Sequence, residues 1–214
     1  MENDPSPDLI GSQTLDFLEK LGSGASVPGG GGASALVGAI SASLVSMVAN
    51  LTLGKPGYED FQEDFRDSLS RSKSLTHRLV EYVDEDAKAF KELMAAYRQK
   101  GNSEDHSSNF RIQSAAKDAT DVPLKISYRC LEVMELSLHS VKFGNKNAIT
   151  DAGAAAYMAK AALQSALLNV DINLPSVVNE QYGHDRRRRS CWLQDRAEEI
   201  ETKVKDCLRS RLES

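Results

Sequence analysis

Cysteine is scarce in this chain of 214 residues, and the three cysteines it has are scattered. Cys130, Cys191 and Cys207 form no Cys-x-x-Cys pair and no cysteine–histidine cluster with zinc-site spacing. This pattern argues against a disulfide framework and indicates a reducing compartment. The N-terminal residues also lack the basic segment and apolar core of a signal peptide. We therefore expect a cytoplasmic protein without a metal site.

The signatures of several other protein classes are also missing. There is no Gly-x-Ser-x-Gly elbow and no His-Glu-x-x-His zinc motif. The formal net charge of -5 gives no indication of a nucleic-acid partner. The uncharged stretch between Lys20 and Lys55 is long enough to span a membrane. Its serines make it only mildly apolar and no aromatic belt frames it, so we predict no membrane partner.

Only six prolines are present, and no segment shows the alternation of a β-strand. Helical periodicity instead predicts an all-α fold: a single domain of five to six long helices in an up-and-down bundle, with no β-sheet. We expect residues 1–11 to form a flexible tail and residues 12–214 to form the helical domain. The predicted helices cover residues 12–21, about 36–51, 58–98, 110–120, 123–143, 148–170 and 175–208.

Three details of this prediction concern breaks and burial. Residues 99–109 read as a polar break, Pro123 as the first turn of a new helix, and Gly183 as a break in the last one. The helix after the glycine run is rich in small residues, and we expect it to be buried nearly all round. An elongated bundle of this kind also favours a homodimer, because its exposed apolar stripes need cover.

The glycine run at residues 29–32, which follows Pro28, is the most conspicuous local feature. It lacks the Lys-Ser or Lys-Thr of a phosphate-binding P-loop, and no strand precedes it. Two interpretations remain open. The run is a sharp turn between packed helices, or it exposes N–H groups at a helix N-terminus to an anion or a polarised carbonyl.

Three consecutive acids, Asp84, Glu85 and Asp86, lie inside the long predicted helix. Asp86 is four residues before Phe90, so it lies near the edge of the apolar stripe. A carboxylate in that position tends to have a raised pKa, which suits proton transfer. The alternative is a solvated acidic patch.

Polar side chains also interrupt the alanine-rich helix near residues 148–170. Thr150 or Asp151 can cap this helix, but a cap does not explain Asn169 and Asn173, which are spaced i, i+4. Buried amides need partners, so these two either tie helices together or hold a polar ligand. The run of arginine at residues 186–189 is typical of a solvated face, or it attracts a polyanion.

Taken in order, these stretches resemble the cyclodeaminase/cyclohydrolase family of folate enzymes. This family includes the C-terminal domain of formimidoyltransferase-cyclodeaminase and free-standing bacterial methenyltetrahydrofolate cyclohydrolases. The resemblance covers roughly residues 14–208. It rests on "PGGG" at 28–31, "MVANLTLGK" at 47–55, "VDEDAKAF" at 83–90, "VPL" at 122–124, "GN" at 144–145, "TD" at 150–151 and "NVDINL" at 169–174.

The resemblance implies an all-α homodimer with a folate groove, a tetrahydrofolate derivative as substrate with or without a polyglutamate tail, and no tightly bound cofactor. It implies that Asp86 is the leading catalytic acid/base, and we assign Asp151 a catalytic role at the pterin or the cationic carbon. The predicted substrate-binding residues are Pro28, Gly29, Gly30, Gly31, Asn50, Lys55, Asp84, Asn145, Asn169 and Asn173.

Three departures from the family pattern stand out. Gly32 replaces a serine, Thr150 replaces another serine, and residues 97–102 replace a Leu-Pro-Lys element, for which only Lys100 supplies a lysine. We predict a methenyltetrahydrofolate cyclohydrolase, since the chain has no room for a transferase domain. The alternatives are a formimidoyltetrahydrofolate cyclodeaminase that releases ammonia and a non-catalytic folate-binding helical dimer.

Overall fold

The computed structural model describes residues 11–100 and 106–213, and none of these residues is in a β-strand. The all-α prediction is therefore confirmed for this part of the chain, whereas the predicted flexible tail lies outside the described residues except for Gly11. The six helices are α1 (Ser12–Leu21), α2 (Gly30–Thr52), α3 (Gln62–Lys100), α4 (His106–Phe143), α5 (Ile149–Asn173) and α6 (Glu180–Leu212), with 3₁₀ turns at Glu59–Phe61, Lys146–Ala148 and Leu174–Ser176.

Helices α2 to α6 alternate in direction, as an up-and-down bundle requires. Helices α2, α3, α4 and α5 pack against one another, and α6 covers α4 and α5. The Gln113 side chain, early in α4, donates to the Ser176 carbonyl just after α5 at 3.0 Å. At the other end of the bundle, Arg211 near the end of α6 donates to the Val141 carbonyl late in α4 at 2.7 Å.

Small residues let α2 pack closely against its neighbours. A Cβ added at Gly38 would lie 2.8 Å from Cys130 Sγ on α4, so this approach requires glycine. Composition alone would allow α2 to span a membrane, but more than half of its apolar window is buried inside the bundle. Buried core helices of this kind meet the same compositional test.

The expectation that α2 is buried nearly all round is wrong. Ile40, Met47 and Leu51 are 45%, 37% and 48% exposed, respectively. Helices α3, α4 and α5 cover the other faces of α2, which leaves one apolar face open in a single protomer.

Two predicted breaks are absent, since α4 continues through Pro123 and α6 continues through Gly183. Proline has no N–H, so Pro123 leaves the Ala119 carbonyl without its usual helical donor. The Asn173 side chain on α5 supplies that donor at 2.7 Å. The helix therefore persists because a neighbouring helix replaces the missing hydrogen bond.

Other boundaries also differ from the prediction. Pro175 lies in a 3₁₀ turn rather than at the start of α6. Helix α6 begins after Asn179, whose side-chain oxygen accepts a hydrogen bond from the Tyr182 N–H at 2.8 Å. In the predicted polar break, Gln99 and Lys100 still belong to α3 and α4 begins at His106. The rest of that break, residues 101–105, lies outside the described residues.

Candidate active site

A pocket of about 130 Å³ lies at the end of the bundle where α2 begins. Helices α2, α3, α4 and α5 all contribute to it, together with the segment that precedes the glycine run. Six of the predicted site residues line this pocket: Gly29, Gly30, Gly31, Asp86, Asn169 and Asn173. The rest of the lining consists of residues 26–27, Phe90, Ala119 and Ile172.

The three consecutive acids of α3 have three different environments. Glu85 pairs with Arg78 on its own helix, at 2.6 Å between Oε1 and a guanidinium nitrogen. Asp84 is exposed and lines a groove against α1 with Phe17 and Thr14. Asp86 lies about 200° around the helix from Asp84, and only Asp86 reaches the pocket. Helical periodicity thus separates one acid from its solvated neighbours.

The Asp86 carboxyl is held at the N-terminus of α2. Burial raises the pKa of the Asp86 carboxyl above its ordinary value, and a hydrogen bond from the Gly32 N–H partly opposes that shift. Within the described residues, Asp86 has no cationic partner. An acid in this environment is suited to taking up a proton and returning it.

Gly31 makes this approach of carboxylate and backbone possible. A Cβ at position 31 would lie 2.2 Å from Asp86 Oδ1, which is far inside contact distance. At Gly32, by contrast, an added Cβ would meet nothing closer than Val83 Cγ1 at 3.6 Å. The glycine that departs from the family pattern is therefore also the one where a side chain fits.

Asn169 and Asn173 both lie on the pocket side of α5, as their spacing predicts. The Asn169 amide donates to the Ser165 carbonyl of its own helix at 3.0 Å, and Asn173 donates to Ala119 across the helix pair. Among the described residues, neither side-chain carbonyl oxygen has a hydrogen-bond donor. Asn173 thus joins two helices, which is one of its two predicted roles, and it also lines the pocket. That it holds a polar ligand stays a prediction.

Lys55 and Asn145 lie together at the opposite end of α2. Asn145 is 5% exposed, and its side chain donates to the Leu51 carbonyl at 2.7 Å. Its side-chain oxygen accepts from Lys55 Nζ at 3.1 Å and from the Asn147 N–H at 3.0 Å. Asn145 therefore closes the end of α2 and positions the half-buried Lys55 ammonium.

The remaining predicted residues do not reach the pocket. Asp151 is in the first turn of α5, roughly 27 Å along that helix from Asn169. Asn50 is exposed near the end of α2, and Pro28 lies between two pocket residues without lining the pocket. The described chain thus places the predicted site residues in two groups, one at each end of α2.

Some pocket residues carried no prediction of their own. Phe90 served only to mark the apolar face, although it lies four residues after Asp86 and shares its side of α3. Ile172 lies three residues after Asn169 and could have been found from the same spacing. Ala119 carries no sequence signal, because its place in the pocket depends on how α4 packs against α5.

The arginine run is largely engaged by acids. Arg186 forms a two-point contact with Asp121 on α4, with N–O distances of 2.7 and 3.2 Å, and lies 4.2 Å from the Tyr182 ring centroid. Arg188 and Arg189 both pair with Asp185. This segment therefore joins α6 to α4.

This chain is similar to several known proteins. The family model described as formiminotransferase-cyclodeaminase matches residues 13–190. A methenyltetrahydrofolate cyclohydrolase of Methylorubrum extorquens is 36% identical over 207 residues, which is 95% of this chain and 100% of that protein. The formimidoyltransferase-cyclodeaminase of Rattus norvegicus is 25% identical, and this chain spans 40% of its length.

A solved structure extends the likeness to the fold. The formiminotetrahydrofolate cyclodeaminase of Thermotoga maritima is 27% identical and superposes with a TM-score of 0.85. The match covers 92% of this chain and 96% of that one. The similarity thus extends over nearly the whole helical bundle.

Proposed function

Because the chain belongs to the formiminotransferase-cyclodeaminase family, we propose that it is a methenyltetrahydrofolate cyclohydrolase. The observation that carries this proposal is the Asp86 carboxyl, which is half-buried without a cationic partner among the described residues, in a pocket of glycine backbone and amide side chains. The choice of reaction is supported by the cyclohydrolase relative, whose whole length this chain matches.

In this reaction, water attacks the electrophilic amidinium carbon of 5,10-methenyltetrahydrofolate. Asp86 takes one proton from the attacking water as the new C–O bond forms. The resulting tetrahedral carbinol then loses its hydroxyl proton to solvent, the C–N5 bond breaks, and N5 receives the proton held by Asp86. The products are 10-formyltetrahydrofolate and one proton, so the carboxylate is regenerated. A general acid/base of this kind typically contributes about 10²–10⁴-fold to the rate.

Other groups in the pocket support this proton transfer. The substrate carbon is cationic, so an unpaired carboxylate nearby attracts it. The Gly32 N–H holds the carboxylate in place, and Gly31 leaves room for it. The carbonyl oxygens of Asn169 and Asn173 have no hydrogen-bond donor among the described residues, and they can accept hydrogen bonds from the N–H groups of a pterin ring. Asp151 does not line this pocket, because it lies in the first turn of α5. It therefore cannot act on a substrate in the pocket of its own protomer in the catalytic role that was predicted for it.

The cyclodeaminase reaction is the second candidate, and the Thermotoga maritima relative favours it. There N10 attacks the formimino carbon of the 5-formimino derivative and ammonia leaves. This reaction also passes through a tetrahedral carbon and uses a proton carrier at the same place. The same pocket therefore suits both reactions, and a non-catalytic folate-binding dimer is the third possibility.

Assays with both folates decide between these functions. For the cyclohydrolase, we expect loss of the near-ultraviolet absorbance of the methenyl derivative, with formation of the 10-formyl product. Release of ammonia from the 5-formimino derivative at a higher kcat/KM would instead identify a cyclodeaminase. Binding of the methenyl derivative without any turnover would identify the folate-binding protein. The Asp86→Asn variant serves as the background in each assay.

We further propose that the protein acts in the cytoplasm as a homodimer and accepts folates with or without a polyglutamate tail. The exposed apolar face of α2 supports the dimer. Comparison of kcat/KM for monoglutamate and pentaglutamate substrates tests the tail preference.

A further inference from the structure

Pro123 interrupts the hydrogen bonding of α4 one turn beyond a residue that lines the pocket. Pro123 itself is buried inside the helix and does not line the pocket. Because proline has no N–H, the carbonyl of Ala119 loses the donor that an α-helix normally supplies. Ala119 is 3% exposed and belongs to the pocket lining. Its carbonyl therefore needs a donor from another part of the chain.

The Asn173 amide is that donor, and the contact determines which way the amide is turned. Its Nδ2 lies 2.7 Å from the Ala119 carbonyl oxygen. A carbonyl can only accept a hydrogen bond, so the nitrogen end of the amide must face Ala119. Asn173 also lines the pocket, and its side-chain oxygen has no donor among the described residues. The oxygen is thus the polar end of this side chain that remains for a ligand.

Asn169, one turn earlier on α5, provides the contrast. Its amide donates to the Ser165 carbonyl at 3.0 Å. That carbonyl lies four residues earlier in an uninterrupted helix, so the backbone N–H of Asn169 already serves as its donor. The Asn169 amide can therefore turn over without leaving a carbonyl unpaired. Of these two amides, only Asn173 is tied to one orientation, and a proline on the neighbouring helix is the cause.

An acceptor in a fixed place selects a ligand that offers a donor there. The pterin ring of a folate has such an edge, where a 2-amino group lies beside the N3–H. An oxo group in place of that amino group would set two carbonyl oxygens against each other. A site built to hydrogen-bond an N–H rejects an analogue that lacks it, because the polar group of the site is then left unpaired.

We propose that Pro123 is a positioning residue that determines which pterin ring the pocket accepts. It frees the Ala119 carbonyl, which holds the Asn173 amide so that its oxygen accepts a hydrogen bond from the 2-amino edge of the ring. An acceptor that is already oriented adds affinity, since its rotamer is not ordered at the moment of binding. The inference rests on the proposed function for the identity of the ligand. It concerns recognition of the ring and not proton transfer at the reacting carbon.

Binding of two ligands tests this role without any turnover. Folate and its analogue with an oxo group in place of the 2-amino group are each titrated into the protein by calorimetry. We expect the wild type to bind folate about ten-fold or more tightly than the analogue. In Pro123→Ala, residue 123 regains its N–H and satisfies Ala119, so Asn173 is free to turn its nitrogen towards the oxo group. The ratio of the two affinities should then fall to about three-fold or less.

Two further sets of variants separate this role from a loss of structure. Pro175→Ala is the matched control, because this exposed proline follows α5 without lining the pocket, and it should keep the wild-type ratio. Asn173→Ala should lower the ratio as Pro123→Ala does. In that background, Pro123→Ala should change the ratio no further, because the proline acts through the Asn173 side chain. Circular dichroism checks that each variant is folded.

A wild-type ratio in Pro123→Ala or in Asn173→Ala would overturn the positioning role, as would wild-type protein that binds both ligands equally. An equal effect of Pro123→Ala with and without the Asn173 side chain would overturn it too. Wild-type protein that discriminates as expected but turns over neither the methenyl nor the 5-formimino derivative would instead overturn the proposed function. The two failures are therefore distinguishable.

Discussion

Asp86 combines two properties that conflict in a folded protein. Its carboxyl is half-buried without a cationic partner in the described chain, and a nearby N–H only partly offsets the loss of water. Burial of an unpaired carboxylate destabilises the fold, but the raised pKa makes it a better proton carrier. Stability given up at a functional group is common in enzymes.

Replacement of Asp86 by asparagine should therefore separate activity from stability. We expect Asp86→Asn to lower kcat by about 10²–10⁴-fold, because the amide cannot take up a proton. In the wild type, kcat should rise with pH as Asp86 ionises, at a pH above the ordinary aspartate range. A variant that binds folate and retains wild-type kcat would contradict the assignment.

The same variant should be more stable than the wild type at neutral pH. The Asp86 pKa is higher in the folded chain than in the unfolded one, so stability is lost as pH rises from the unfolded to the folded pKa. Asparagine removes that loss. We expect the difference in Tm to shrink below about pH 4, where the carboxyl is protonated in both states. A lower Tm for Asp86→Asn at pH 7 would contradict this account.

Two neighbouring glycines provide a matched pair of substitutions. Gly31→Ala places a Cβ 2.2 Å from Asp86 Oδ1, so we expect it to displace the carboxylate and lower kcat/KM at least ten-fold. Gly32→Ala meets only ordinary contacts and should raise the free energy of unfolding by about 0.5–1 kcal/mol. Steady-state kinetics and thermal melts of both variants check the contrast, which similar behaviour of the two would contradict.

At the scale of the helices, α4 depends on α5 for its continuity. Pro123 frees the Ala119 carbonyl, and Asn173 satisfies it. Asn173→Ala should therefore cost about 2 kcal/mol, the typical penalty for a buried carbonyl left unpaired. We expect Tm to fall by roughly 4–8 °C.

A double-mutant cycle tests the mechanism behind that loss. In a Pro123→Ala background, residue 123 regains its N–H and the Ala119 carbonyl has a helical donor again. Asn173→Ala should then cost much less than in the wild type, with a coupling energy of about 0.5–3 kcal/mol. Equal losses in both backgrounds would show that Asn173 acts in some other way.

Helix α6 is joined to α4 through one member of the arginine run. Arg186→Met breaks the partly buried contact with Asp121 and should cost about 2 kcal/mol by chemical denaturation. Arg188→Met is the control, since that side chain is 80% exposed and its pair is worth little. Comparable stability of the two variants would argue for a role in binding a polyanion instead.

At the scale of the whole molecule, the open face of α2 links stability to association. If two copies cover this face, only the folded dimer buries it, so Tm should rise with protein concentration. Ile40→Glu should abolish that dependence. Thermal melts over a hundred-fold concentration range measure both effects, and a wild-type Tm that stays constant over this range would argue against the dimer.

The amino-acid sequence by itself determined the all-α class and the family. Helical periodicity and the shortage of proline specified an all-α bundle, because these are local properties of the backbone. The spacing of Asn169 and Asn173 placed both on one side of α5, and position relative to Phe90 singled out Asp86 near the apolar edge. The ordered short motifs then identified the family without any knowledge of tertiary contacts.

Only the tertiary structure decided which of these residues meet. It brought Gly31, Asp86 and Asn169 into one pocket and left Lys55 and Asn145 at the far end of α2. It also carried α4 through Pro123, where local chemistry predicts a break, since the Ala119 carbonyl receives its replacement hydrogen bond from Asn173, fifty-four positions further along the chain. Periodicity describes one helix at a time, whereas such contacts depend on how separate helices pack together.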